Sequence, residues 1–162
     1  MIQSNSLTLL NTLCKMRDGG SIMGTWLMNR NPVKLSPEVD DSFILRFDSF
    51  CRSHYPYEEN PGLYCPCTWY FNESNELSSY SAKYGEVYAW YNLLVKDLFT
   101  PLGYRVIGDP EIVQECKFTN YIETHNSRVE ESIKWEYRLI HLRRQEYDRN
   151  YPESNGHCDT FK

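Results

Sequence analysis

The residues in this chain with the most chemistry to offer are its six cysteines and four histidines, and one group of them is spaced like a metal site. Cys51-Arg52-Ser53-His54 is followed ten residues on by Cys65-Pro66-Cys67. Three thiols and one imidazole make the donor set of a structural zinc, because Zn²⁺ prefers four soft or borderline ligands in a tetrahedron. Adjacent-but-one cysteines on a strand point to opposite faces, however, unless Pro66 bulges the chain. A chain of 162 residues also has length enough to build a core without metal. The competing reading is therefore buried, unliganded thiols packing as small hydrophobes. His157-Cys158-Asp159, with Cys116, is a sparser second group in a polar tail. Glu123 and His125, read as neighbours on one strand face, are the kind of acid–base pair a small hydrolase would use. The sequence holds no phosphate-binding loop, dinucleotide fingerprint, Gly-x-Ser-x-Gly or His-Glu-x-x-His. No residue is assigned a catalytic role, and no cofactor is expected beyond that candidate zinc at Cys51, His54, Cys65 and Cys67.

Those residues need elements to position them. Leu7, Leu10, Leu13 and Cys14 recur at helical spacing after Ser6, and Gly19-Gly20 stops that helix. Residues 21–30 alternate around Ile22, Trp26 and Met28 as a strand, and Pro32 and Pro37 frame a loop. Asp41-Ser42 caps a helix carrying Phe43, Phe47, Phe50 and Cys51, which ends before Pro56. Residues 55–62 are turn-rich. Leu63 to Phe71 reads as a strand, at an edge or bulged because of Pro66. Asn72 to Asn75 turns the chain, and Leu77 to Tyr80 returns it. Tyr84, Val87, Tyr88, Tyr91, Leu94, Val95 and Leu98 then keep the i, i+3, i+4, i+7 rule, with Ser81 as cap and Pro101 and Gly103 as stop. Tyr104–Gly108 and Ile112–Glu115 read as strand around a break at Asp109-Pro110, and Lys117–Glu123 as a further strand. Residues 129–149 carry two periods at once. Ile133, Tyr137 and Ile140 fit a helix, whereas Ile133, Trp135, Tyr137 and Leu139 alternate as a strand would. The capping-box pair Ser127 and Glu130 favours the helix. The sum is an α+β fold: a small, mainly antiparallel sheet packed on a central amphipathic helix at about 82–99, with extra N- and C-terminal helices. Residues 1–150 form one domain and 151–162 a polar, loose tail.

Composition bounds the function. Aromatics reach 15%, with 13 tyrosines, and tyrosine joins a large apolar body to a polar tip that suits a binding surface. Net charge is −5, concentrated in residues 38–80, where eight acids face two bases. No segment is basic enough to follow a phosphate backbone, which disfavours nucleic acid as a partner. No apolar run approaches a membrane span, and Met1 to Leu13 lacks the charge and core of a signal peptide. The expected setting is a reducing cytoplasm, without membrane association or secretion.

Residues 42–126 carry a further pattern: Pro61-Gly62-Leu63-Tyr64-Cys65, then Trp69, then Tyr84, Tyr88, Trp90, Leu94 and Val95, then Phe99, Pro101, Gly103-Tyr104 and Gly108. It resembles a family of small uncharacterised bacterial and viral proteins that run Pro-Gly-Leu-aromatic-Cys, Trp, a Tyr-rich helix and Pro-x-Gly-Tyr. That family carries Trp-Asp-Gly where this chain has Leu77 to Tyr80, and Trp-Gln-Gly-Glu where it has Val113-Gln114-Glu115. The resemblance implies no active site. The expectation is a non-catalytic protein-interaction or accessory module, of phage or viral type. It would engage a protein partner or itself through aromatics such as Tyr64, Trp69, Trp90 and Tyr104. The alternatives are a small hydrolase-like enzyme and a zinc-stabilised binding module.

Overall fold

The computed structural model describes residues 26–54, 66–79, 82–114 and 121–153. Helix α1 spans Asp41–Ser53. Its cap is Asp40, one residue before the expected pair. The Phe43 amide donates to the Asp40 carboxylate at 2.7 Å, satisfying one of the helix's orphan donors. The helix stops at Ser53, as the approach of Pro56 implied. Its buried positions are Phe43, Ile44, Phe47 and Asp48.

Strands β3 (Trp69–Phe71) and β4 (Leu77–Ser79) form an antiparallel hairpin in which Phe71 faces Leu77. Its turn is built by one side chain. The Asn72 carboxamide oxygen accepts from the amides of Ser74 at 3.0 Å and Glu76 at 2.9 Å. Asn75 then takes a positive φ of 56°, a conformation that asparagine tolerates better than most residues. All six strand residues are buried, so the hairpin is a core element, and β3, which among the described residues pairs with β4 alone, is an edge strand as Pro66 suggested. The strand is also shorter than the nine residues expected.

Helix α2 runs from Tyr84 to Leu93 and widens into a π-helical turn over Leu94–Phe99. The Thr100 amide donates to the Val95 carbonyl at 3.0 Å, and Tyr104 to Phe99 at 2.8 Å. Gly103, at φ 81°, makes that left-handed exit, which costs other residues a Cβ clash. The buried stripe is Val87, Trp90, Leu94, Leu98 and Phe99. Tyr88, expected inside, is exposed, so the core face is rotated toward Trp90.

Two further small antiparallel sheets complete the described fold. Strand β1 (Trp26–Asn29) lies between β5 (Ala82–Lys83) and β7 (Ile112–Gln114). Residues 82 and 83 are thus strand and not the first turn of α2. Strand β2 (Lys34–Ser36), in the segment expected as a loop, pairs with β6 (Arg105–Ile107). Val33 and Leu77 exchange backbone hydrogen bonds of 3.0 and 2.7 Å, tying β2 to the hairpin. The expected N-terminal helix at Leu7–Cys14 lies outside the described residues.

Helix α3, Tyr121–Asn150, is the longest element at 30 residues. It settles the two competing periods of the C-terminal segment, and it begins early. Residues 121–123 are helical where a strand was expected, and Ser127 sits inside the helix and not at its cap. Trp135, Leu139 and Leu142 are its buried apolar side chains. The α+β class follows, with α1, α2 and α3 around the hairpin.

One ion-pair centre fastens α3 to α1. Asp48 is buried and accepts from Arg143 twice, Nε at 2.7 Å and Nη2 at 2.6 Å, while Arg52 adds a contact at 3.2 Å. Removing one partner of a buried pair costs about 3–5 kcal/mol, because a desolvated charge is left behind. Arg143 is partly open to water and Arg52 remains as a substitute. Arg143→Met is therefore expected to lower unfolding free energy by about 2–3 kcal/mol. Arg52→Met, a mostly exposed partner, is expected to cost under about 1 kcal/mol. Urea denaturation of the two variants checks the ranking.

Candidate functional site

The thiols of α1 and β3 come closest to the expected metal site. Cys51 ends the third turn of α1, and Cys67 lies on the approach to β3. The fold brings them together: Cys67 stands close enough to raise the Cys51 thiol, and its own thiol donates to the Trp69 carbonyl at 3.7 Å. A cleft of about 160 Å³ opens there, lined by Phe47, Asp48, Cys51, Cys67, Trp135 and Arg143. Burial pushes the Cys51 thiol well above its ordinary value of 9.0, and the neighbouring Cys67 and Asp48 push the same way. A thiol so held stays protonated at neutral pH and is a poor nucleophile.

Of the other candidate ligands, His54 does not join this pair. His54 forms the C-cap of α1, its ring stacked on Phe50 at 3.9 Å and its Nδ1 2.8 Å from the Phe50 carbonyl. That carbonyl can only accept, so Nδ1 carries the proton in this contact. Cys65 lies outside the described residues, as do Tyr64, Cys14, Cys116 and the His157-Cys158-Asp159 group. Among the described residues no group of three or more Cys, His, Asp or Glu side chains could hold a metal ion.

Nor do the acid–base candidates converge. Glu123 and His125 are exposed residues of α3 and not strand neighbours. Two residues on a helix are about 200° apart, so the pair does not share a face. A second depression of about 400 Å³ is polar and shallow. Its charges are already engaged, Lys134 with Glu73 at 3.1 Å and Arg138 with Asp41 at 3.3 Å. A ligand pocket of that size is more often apolar with a few convergent polar groups.

Three of the four aromatics expected to meet a partner are instead packing. Trp69 is 1% exposed and donates its Nε1–H to the Val87 carbonyl at 3.0 Å; Trp90 is 0% exposed. Tyr104 is half-buried, its ring 4.1 Å from that of Phe43. Large rings gain more from a core than from water, and Trp69 also finds its hydrogen bond there.

Among the described residues, most of the large exposed apolar side chains lie on α3 and just past its end. Ile122, Val129, Ile133, Tyr137, Ile140, Tyr147 and Tyr151 are all exposed. With Asn126 and Arg144, also exposed, they follow one another at steps of three or four residues, one line along the helix. At 100° per residue this line lies opposite Arg128, Trp135, Leu139 and Leu142, the side buried on the body of the protein. The middle of the line is the most open: Ile133 at 51%, Tyr137 at 70% and Ile140 at 57%. At the C-terminal end the Tyr147 and Tyr151 rings lie 4.9 Å apart. Periodicity placed Ile133, Tyr137 and Ile140 on a helix but did not separate this stripe from the buried one. The signal was present in the parallel series Trp135, Leu139 and Leu142.

The inner face of α3 is held by polar contacts as well. Arg128 is buried and donates to the carbonyls of Asn29 at 2.9 Å and Arg30 at 3.1 Å, where β1 ends. Its other branch meets Glu131 at 3.3 Å, and Glu131 also accepts from the Tyr70 hydroxyl. Burial and the Glu131 carboxylate raise Tyr70 above a tyrosine's ordinary range. These contacts fix the rotation of α3 and hence what it shows to solvent. Among the described residues no helix is long and apolar enough to cross a membrane.

Comparison with family models, with characterised proteins and with solved structures finds no match to this chain.

The raised thiol and phenols give two expected outcomes. Cys51 should alkylate slowly with iodoacetamide at pH 7 and rapidly once unfolded, as read by peptide mass spectrometry. Cys51, Tyr70 and Tyr91 are all raised in the fold, each mainly by burial. The unfolded chain therefore releases these protons first as pH rises. Stability is unaffected by them well below about pH 9 and declines progressively above it, which thermal melts between about pH 8 and 11 would follow.

Proposed function

We propose that this protein is a non-catalytic interaction module that binds an amphipathic helix of a protein partner along the outer stripe of α3. The observation that carries the reading is the line of exposed side chains from Ile122 to Tyr151, which are Ile, Val or Tyr at every position but Asn126 and Arg144. A contiguous apolar strip on a protein surface is unfavourable to leave in water and commonly marks a contact site. Its shape favours a helix over a loop or small molecule, because it is straight, narrow and periodic at helical spacing. Tyrosine at its centre supplies area with few rotatable bonds, as interface anchors do. Support also comes from the lack of convergent acid–base groups among the described residues and from the protonated state of the Cys51 thiol. The zinc reading has only the adjacent Cys51 and Cys67 in its favour.

A photoreactive amino acid placed at Tyr137 should crosslink to protein in the native host, whether to another chain or to this one. The same group at Arg46, exposed on α1, should give background only. Equal yields at the two positions would remove the proposal.

A further inference from the structure

We infer that the helix α3 engages is the α3 of a second copy of this chain, running antiparallel, so that the protein pairs with itself about a twofold axis near Tyr137. The inference rests on the reading of the stripe as a binding face and adds the identity of the occupant. Its first support is register. The stripe positions are 122, 126, 129, 133, 137, 140, 144, 147 and 151. Reversing the helix about the midpoint of the stripe, between residues 136 and 137, lays the series on itself at every position but Tyr137. Ile122 then meets Tyr151 of the other copy, Asn126 meets Tyr147, Val129 meets Arg144, and Ile133 meets Ile140. Tyr137 falls beside the axis and meets its own counterpart. A twofold interface needs such self-complementarity, since each contact must occur twice. An unrelated partner would place no such demand on the spacing.

Charge gives the second support. Glu123 and Glu130 flank the first half of the stripe, while Arg144 sits within the second half. The antiparallel arrangement brings Glu130 of one copy near Arg144 of the other, twice. A parallel arrangement would instead set Arg144 against Arg144. Asn126 and Arg144 are the polar breaks in the apolar line, and single polar residues at such positions fix register at some cost in affinity.

Size gives the third. A helix of 30 residues is about 45 Å long, and a strip about 10 Å wide along it offers roughly 450 Å² per copy. The pair would bury roughly 900 Å² or somewhat more with side-chain relief, below the range of stable specific interfaces and in that of weak, reversible ones. Within this chain α3 is the longest described element and the one that matches the stripe in length. The apolar series at Leu7 to Cys14 would cover less than about 15 Å as a helix.

The test is sedimentation equilibrium of the full chain from about 1 to about 300 µM, the range in which a small interface dissociates. The wild-type protein should move from its monomer mass of 19.2 kDa toward twice that value. Ile133→Glu and Ile140→Lys should each weaken pairing by at least about tenfold, the size expected when a charge enters an apolar contact unpaired. Both positions face solvent, so neither change disturbs the core. The decisive protein carries both. In the antiparallel pair the introduced carboxylate at position 133 faces the introduced ammonium at position 140 of the other copy, and association should recover most of the loss. A parallel pair would set like charges together and weaken further. A double variant no better than either single one would overturn the antiparallel arrangement. A wild-type chain that stays monomeric throughout would overturn self-pairing. If Tyr137 still crosslinks to a different protein, the stripe remains a binding face and only its occupant was misassigned. If Tyr137 gives background alone, both fall together.

Discussion

The position of Phe47 is the constraint on which the rest of this structure depends. Its ring lies 5.1 Å from Phe71 of the hairpin, 6.4 Å from Phe99 at the end of α2 and 5.8 Å from Trp135 of α3. Four elements far apart in sequence therefore meet at one aromatic residue. Edge-to-face pairs such as Phe47–Phe71 and Phe47–Trp135 set orientation as well as distance, because the ring edge seeks the electron-rich face of its neighbour. One turn away, Phe43 extends the same junction to Phe71 and Tyr104. Short strands of two to four residues could not hold these helices by backbone pairing alone.

The junction explains why α3 is docked by so narrow a face. Trp135 occupies the aromatic centre, and Leu139 and Leu142 continue that line. Arg128 and Arg143 pin either side of it, one on the carbonyls that end β1 and the other on the buried Asp48. Two charge-assisted anchors and one indole fix both the rotation and the height of a 30-residue helix. The same fixing turns a second apolar line outward. A helix with apolar residues on two opposite sides can bury one of them on its own body, and the other is left for something outside it. The thiol cleft beside Asp48 follows from the same contact, since Cys51 is on α1 one turn past Phe47 and Cys67 leads into the hairpin. The Cys51 thiol is quiet because the packing around it holds it in its protonated form, burial being the largest cause.

Much of the fold was legible locally. The first described helix reads as a capped helix because Asp41-Ser42 and then Phe43, Phe47 and Phe50 at helical spacing agree, although the cap itself is one residue earlier, at Asp40. The Asn72–Asn75 turn is a property of asparagine, and the Gly103 exit is a property of glycine. Boundaries were less legible. Ala82 and Lys83 pair with β1, and the segment between Pro32 and Pro37 contains β2, because partners remote in sequence offered hydrogen bonds that local propensity does not see. The candidate site was least legible of all. Trp69 and Trp90 have the chemistry of interface residues, yet the core had room for both and a hydrogen-bond acceptor for Trp69. Cys51 and Cys67 do meet, while His54 turns back onto its own helix.

For α3 the sequence alone determined that residues 129–149 could be helical and that they hold two apolar series, one through Trp135 and Leu139 and one through Ile133, Tyr137 and Ile140. Periodicity is a property of the chain's own geometry, and any helix displays both series. Which series lies inside is not such a property. Isoleucine is as apolar as the leucines that were buried, and tyrosine, like the buried indole, is a large apolar body with one polar group. The choice was made by the indole-sized place beside Phe47 and by the buried acceptors at Asn29, Arg30 and Asp48 that needed arginines at 128 and 143. Those partners come from β1, α1 and the hairpin, and only the assembled tertiary structure brings them to one side of the helix.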